Sequence, residues 1–406
     1  MADISKINVN GTVYEVKDNV ARTLAQNGSG GAANLGKEYE INVLNPPSDT
    51  GLLPYVFGGD VAANTKRVQA MLDYIGQHEK HYMQSGMSLY TGYSYTIVFP
   101  AGTYVFNAQL EFKGHYLTIL GRRAIIQTTH NNSAFHFADG AGWFTTIEGF
   151  TFDRVYNGIW FDFYNLEMGS TRILNCWFID VENEAIHINK QSLIGVVRDC
   201  RFHKCGYVLY FSNVDKMIFE GNWVSEKPRW KNKDASIIAK SMRLLFQDNL
   251  WVPYPAQSGV TETAYINAHC TVRCFNNLFG GEPGSKPVMN VLCQFDYTNK
   301  LILPVIEVSD SEALWCIQDY TVLRLFALPA GIIVKGNYGF ADNQVVAKWG
   351  SGVDTATAIA KVDDMLQIDI SMNGGFRATR TNGENGIYLI PIELNRFLYS
   401  FNKFNV

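Results

Sequence analysis

The chain has 406 residues, 47% hydrophobic and 18% charged, with a formal net charge of −4. At ~150 residues per unit that length fits two or three structural units or one long repetitive one, and the apolar content excludes disorder as the default. The balanced charge lacks the cationic footprint of a nucleic-acid binder, and no apolar run reaches the ~20 residues that span a bilayer, so neither nucleic acid nor membrane insertion is expected.

Seven cysteines without a CxxC pair speak against a disulfide framework and a zinc site. The N-terminus has no apolar signal core, so classical secretion is not expected. In chain order, residues 1–26 read as a hairpin module, with alternating runs on either side of Asn10-Gly11. Residues 27–38 are a Gly/Ser/Asn-rich linker. Residues 39–94 form a capping region with one amphipathic helix over 60–77, its apolar face made by Val68, Met71, Leu72 and Ile75. Asp60 or Asn64 is placed to cap it.

From residue 95 to 345 the pattern is short strands only. Six windows share the form apolar–x–(Gly/Asn/Asp)–(Phe/Cys/Asn)–x–(aromatic/Val), starting at Ile147, Ile173, Val197, Phe219, Phe246 and Cys274. A second strand follows each start, so the spacing predicts two strands per period. Repetition of this kind without helices is the signature of an all-β, right-handed parallel β-helix, a single-stranded solenoid. Position four of the windows reads Phe150, Cys176, Cys200, Asn222, Asn249 and Asn277. At a coil spacing of ~4.8 Å the asparagines would stack into an amide ladder, and Cys176 and Cys200 would form a reduced, buried pair. Residues 346–406 lack this register but carry strand-like runs, and are read as a β-rich cap, trimerisation or recognition unit.

The helix Asn64-Thr65-Lys66-Arg67-Val68-Gln69-Ala70-Met71-Leu72, followed by Ile97-Val98-Phe99-Pro100-Ala101-Gly102-Thr103-Tyr104, resembles the start of phage tailspikes of the pectate-lyase-like β-helix superfamily. The segment MADISKINVNGTVYEVKDNVART is similar to N-terminal segments of phage tail, neck and head appendage proteins. One departure is that the acidic helix start of that family is reduced here to Asn64-Thr65. The resemblance implies a virion component assembled in the host cytoplasm. It implies attachment to tail, neck or head proteins through residues 1–26, a homotrimer, and a body that binds or depolymerises a host surface glycan. A non-enzymatic structural spike is the alternative.

Glycan hydrolysis normally needs two carboxyl groups ~5 Å apart for retention or ~6.5–9.5 Å apart for inversion, whereas a lyase needs a base and a cation. In the second strand of each coil, Trp160 and Asp162 point outward if Ile159, Phe161 and Phe163 point inward. His187 and Asn189, Val208 and Tyr210, and Ile238 and Lys240 follow on the next coils. Trp160, His187, Asn189, Tyr210 and Lys240 are the expected glycan contacts, and Asp162 with Glu182 or Glu184 the candidate catalytic acids. A subunit contact would explain the same face equally well. Asp199 falls in a row of bend residues with Gly149, Asn175, Gly221, Asp248 and Asn276, where a turn role is expected. Arg154, Asp180, Lys204 and Glu226 read as a surface salt-bridge ladder. The run Lys227 to Lys233 reads as a solvated loop. No metal site and no cofactor are expected, because the eight histidines show no ligand spacing.

Overall fold

The structure, a computed structural model, describes residues 6–9, 12–15 and 40–280 apart from 79, 85–86, 94, 139–140, 168, 192–193, 213, 227–234, 241–242 and 254–263. Beyond 280 it describes the strands named below, with Asp310 and Ser311. The chain is a parallel β-helix with three faces rather than the two strands per coil expected from the sequence.

Face A runs from Glu40–Asn42 through Thr96–Phe99, Thr118–Thr128, Thr145–Asp153, Thr171–Leu174, Ile194–Arg198, Lys216–Glu220, Arg243–Gln247, Thr271–Phe275, Val305–Ser309 and Gly331–Lys335 to Gln367–Ser371. Face B takes Gly102–Phe106 and the second halves of the two long strands, then Trp177–Ile179, Arg201–His203, Trp223–Glu226, Leu250–Pro253, Leu278–Gly280 and Glu312–Leu314. Face C stacks Leu110–Phe112, Ser133–Phe137, Asn157–Glu167, Glu184–Gln191, Tyr207–Ser212, Ala235–Lys240, Ala264–Ala268, Met289–Val291, Leu323–Leu325, Val345–Trp349 and Phe376–Arg380.

Each six-residue window is broken at its third residue. In the window from Val197, strand A ends at Arg198, Asp199 turns the chain, and strand B starts at Arg201. The turning residues adopt the left-handed conformation: Gly149 (φ 77°), Asn175 (53°), Asp199 (55°), Gly221 (64°), Asp248 (56°) and Asn276 (52°), with Asp310 (49°) continuing the row. Only Gly, Asn and Asp visit that region at low cost, so the sequence states the bend directly. Gly149 is needed for a second reason, since a Cβ there would meet the Gly121 carbonyl oxygen at 2.7 Å. The turning N–H groups donate up the stack, as from Asn175 to Arg198 O (3.1 Å) and from Asp199 to Glu220 O (3.2 Å).

Three residues of the expected salt-bridge row also shape the backbone. Arg154, Asp180 and Lys204 make the second bend, with φ of 53–54°. Their backbone N–H groups donate to Ile179, His203 and Ser225 carbonyls of the following coil (3.0, 2.9 and 3.3 Å). A bend that must be repeated every coil fixes these backbones whatever their side-chain charge.

Inside, the asparagine ladder forms. Asn249 Oδ1 accepts from Asn222 N (2.9 Å) and Asn222 Nδ2 (3.2 Å), while Asn249 Nδ2 donates to Phe219 O (3.1 Å) and Asn277 Oδ1 (3.0 Å). Asn277 repeats the pattern one coil on, taking Asn249 N at 3.0 Å, and its own N–H donates to Ser311 Oγ at 3.2 Å. At the lower end Cys200 N donates to Asn222 Oδ1 (2.9 Å), and Cys176 and Cys200 are free, buried thiols. Burial pushes the Cys200 thiol pKa well up, with the adjacent Cys176 adding to it, so Cys200 stays a thiol. Phenylalanines stack in the same manner: Phe152, Phe178 and Phe202 lie at 5.0 Å centroid spacing with interplanar angles of 8° and 3°.

Helix α1 (Val61–His78) closes the N-terminal end and is capped by Asp60, whose Oδ1 accepts from Ala63 N at 2.7 Å. Its buried face is Val68, Met71, Leu72 and Ile75. An edge strand presents unpaired backbone groups, and here the helix supplies side chains in place of a further coil. Gln69 Oε1 accepts from Glu111 N and Gln69 Nε2 donates to Glu111 O, both at 2.9 Å. Thr65 Oγ1 accepts from Asn107 N (3.2 Å) and Tyr55 Oη from Val105 N (3.0 Å). Asn64 pins the preceding loop instead of capping, bonding Val56 N and O at 3.0 and 2.7 Å.

Two antiparallel pairs lie outside the stack at the N-terminal side: Lys6–Val9 with Thr12–Glu15, and Lys80–Gln84 with Met87–Tyr93. The first matches the expected hairpin, while residues 16–39 lie outside the described residues. A short antiparallel pair, Gln294–Phe295 with Leu301–Ile302, forms a separate two-stranded sheet. At the far end the stack finishes with antiparallel strands Ile387–Ile390 on face C and Tyr399–Ser400 on face A. Among the described residues, no helix is long and apolar enough to cross a membrane.

Candidate functional site

Face C carries the outward strip expected from the alternation. Its register aligns Trp160 with His187 and His187 with Tyr210, and beside them Asp162 with Asn189 and Asn189 with Ser212. Ile159, Phe161, Ile186, Ile188, Leu209 and Phe211 fill the core behind it, all fully buried. Val208 does not face outward: with Ala185 and Ser236 it forms a column buried to 0–3% exposure.

The rings are stacked on one another. Trp160 and His187 are 3.7 Å apart at 3°, and His187 and Tyr210 4.7 Å apart at 4°. The remaining face of Tyr210 meets the Lys240 ammonium at 5.4 Å, which also lies 3.5 Å from the hydroxyl. Both faces of His187 are therefore occupied, and it is only 9% exposed. A sugar cannot stack on those faces; what the column offers outward is ring edges with their polar atoms.

Glu184 begins the same strand and orients His187 through a 2.6 Å contact between Oε2 and Nδ1. A carboxylate accepts, so Nδ1 carries the proton and, in neutral His187, Nε2 is left as an acceptor. The strand start is held by Asn157, whose Oδ1 accepts from Glu184 N (3.1 Å) and Asn183 Nδ2 (3.0 Å). Glu182 sits half-buried in the turn just before, with its N–H on Val155 O at 2.9 Å. At the other end of the strip Asn189 bridges Asp162 (3.5 Å) and Ser212 (2.6 Å). Glu184 lies five residues before Asn189, the register partner of Asp162, or about 16 Å along the strand at ~3.3 Å per residue. The structure thus groups Glu184 with His187, and Asp162 with Asn189, at opposite ends of one strip.

Sequence reasoning missed the lower end of the strip. His136 aligns with Trp160, and Glu111 with His136. Glu111 Oε2 contacts His136 Nδ1 at 2.6 Å, so the Glu–His arrangement occurs twice, on either side of Trp160. Burial alone would raise the Glu111 pKa, but the hydrogen bond and charge of His136, with Gln109 and Lys113 adding, hold it below its ordinary value. These strands precede the first repeat window; the signal available was an outward His two coils before His187. Among the described residues no three His, Cys, Asp or Glu side chains come together as a metal site. The basic run Lys227 to Lys233 lies outside the described residues.

No family model matches the chain, and no curated protein matches it. Among solved structures it is similar to an alginate lyase from Paenibacillus sp. str. FPU-7 at 12% identity, covering 68% of this chain and 96% of that one, with a TM-score of 0.47. It is similar to ORF18 of Geobacillus virus E2 at 14% identity, covering 95% and 69%, with a TM-score of 0.40. A tailspike double mutant of E. coli bacteriophage HK620, in complex with a pentasaccharide, gives 12% identity, 93% and 67% coverage, and a TM-score of 0.40. The parallel β-helix of this chain rests on its own strand register, coil upon coil, and not on those likenesses.

Proposed function

We propose that the chain is a phage virion appendage whose β-helix binds a host surface polysaccharide along the outward strip of face C. The observation that supports it is the strip itself: Glu184-oriented His187, the edges of Trp160 and Tyr210, and the hydrogen-bonded row Asp162, Asn189 and Ser212. Polar groups ordered on a rigid sheet can read sugar hydroxyls without the cost of ordering them on binding. The sequence resemblance of residues 1–26 and of the helix with the first coil supplies the rest of the reading: attachment to tail, neck or head proteins, and a homotrimer.

The strip also holds the parts for cleavage. His187 Nε2 is a proton acceptor, Tyr210 a donor beside the Lys240 ammonium, and this is the set an elimination needs. The other reading is a structural spike that cleaves nothing; it is favoured by the occupied ring faces and the 9% exposure of His187.

The test is mass analysis of host capsular polysaccharide after incubation with the purified protein, with Glu184→Gln, His187→Ala and Asp162→Asn variants alongside. Fragments lacking the mass of water mean elimination, and should vanish with His187→Ala. Fragments carrying added water mean hydrolysis and return the chemistry to the carboxylates. Intact polymer that still binds means an adhesin. No binding at all would remove the glycan reading and leave the structural spike.

A further inference from the structure

A second polar feature lies on face A, away from the strip. The register aligns Ile194 with Lys216 and Met217 with Leu244, which sets Lys216 beside Arg243, and Arg243 beside Thr271. Lys216, Arg243 and Thr271, with Arg273, Leu245 and Val305, line a cleft of about 400 Å³. Of its apolar lining, Val305 is 42% exposed.

Arg273 of this cleft has an acidic partner, as Arg198 has elsewhere on the same face, but among the described residues Lys216 and Arg243 do not. Arg198 is bonded to Glu220 at 2.6 Å, and Arg273 to Glu307 at 3.2 Å. Lys216 and Arg243 stand on neighbouring strands, where like charges disfavour each other. Two unneutralised cations about 4.8 Å apart at the backbone, above aliphatic side chains and beside a threonine hydroxyl, match a ligand with anionic groups on a carbon framework.

We infer that this cleft binds the anionic groups, carboxylate or sulfate, of an acidic polysaccharide. Arg243 offers a planar fork to one such group and Lys216 a point charge to the next, while Leu245 and Val305 cover the sugar's C–H face. The inference rests on the reading of the chain as a glycan binder and adds the chemical class of the glycan. It also adds a site that face C does not contain.

The experiment is calorimetric titration of the full chain with polygalacturonate, dextran sulfate and neutral dextran at low and high ionic strength. Binding to one or both acidic polymers and not to dextran is expected, weakening with salt. Lys216→Ala and Arg243→Ala should each weaken it about tenfold, the cost of one charge-assisted hydrogen bond. Arg243→Lys should weaken it less than Arg243→Ala, since the charge stays while the planar fork is lost. Circular dichroism of each variant separates lost binding from lost folding. The polyuronate and sulfate arms decide which anion is read. Failure of both acidic polymers to bind, or equal binding by the Lys216→Ala/Arg243→Ala protein, overturns the inference. If that double variant still binds the host polysaccharide, the glycan reading stands without this cleft; if the unaltered chain binds no host polysaccharide, the glycan reading itself has failed.

Discussion

The asparagine column at the first bend and the ring column on face C are built on the same repeat, yet their polar groups face opposite demands. Asn222, Asn249 and Asn277 are 1–2% exposed, and their amides bond backbone groups of neighbouring coils. A buried N–H or carbonyl must find a partner, so at these positions the fold dictates the side chain. Trp160, His187 and Tyr210 use their faces on one another and turn their edges outward, and the backbone behind them is already paired in the sheet. The fold does not require those polar edges, which is why they, and not the more numerous asparagine bonds, are candidates for recognition.

The sharpest way to break this comparison is Asn249→Ala. It leaves Asn222 N–H and Phe219 C=O without the amide that bonds them. Two buried groups losing their partners should cost about 2–4 kcal/mol of stability, read from the shift in the urea midpoint. A cost below ~1 kcal/mol would mean the ladder is ornamental and that the two columns do not differ in kind.

The bend beside the ladder gives a second, smaller test. Asp248 has φ of 56°. Asp248→Val should cost about 1–2 kcal/mol, the penalty of a branched residue in the left-handed region, whereas Asp248→Gly should be nearly neutral. Equal losses in the two variants would point to the carboxylate, and its contact with Asn276 Nδ2, as the important feature instead of the backbone.

These bends were legible in the sequence because Gly, Asn and Asp recur at one position of a period that can be counted by eye. The amide ladder followed from the same count. The third strand was not legible, because a single left-handed residue interrupts a six-residue window without disturbing its apolar alternation. Arg154, Asp180 and Lys204 hid the second bend for a related reason: charged residues at positive φ advertise charge, not backbone conformation. On face C, alternation put Asp162, Trp160, His187, Asn189, Tyr210 and Lys240 on one strip. It could not give the tilt of the rings, and ring tilt decides whether a sugar meets a face or an edge. Glu111 and His136 were missed because their strands lie before the first window.

Glu111 also supplies the smallest test, on the outward side of the comparison. Its carboxylate is held by His136 at 2.6 Å and by Gln109, and its pKa is lowered in the folded chain. A carboxyl with a lowered folded pKa contributes stability at pH above its unfolded value of about 4.3 and loses it as pH falls through the folded value. Glu111→Gln keeps the shape and removes that titration. The variant should be less stable than the parent near neutral pH, and the gap should close in acid. Because the side chain is 32% exposed, solvent screens the pair, and the gap should stay below ~1 kcal/mol. A gap of several kcal/mol would place the Glu–His pair among the interactions the fold depends on, as the asparagines are. A gap that failed to close in acid would mean that the hydrogen bond to Gln109, and not the charge shared with His136, is what Glu111 contributes.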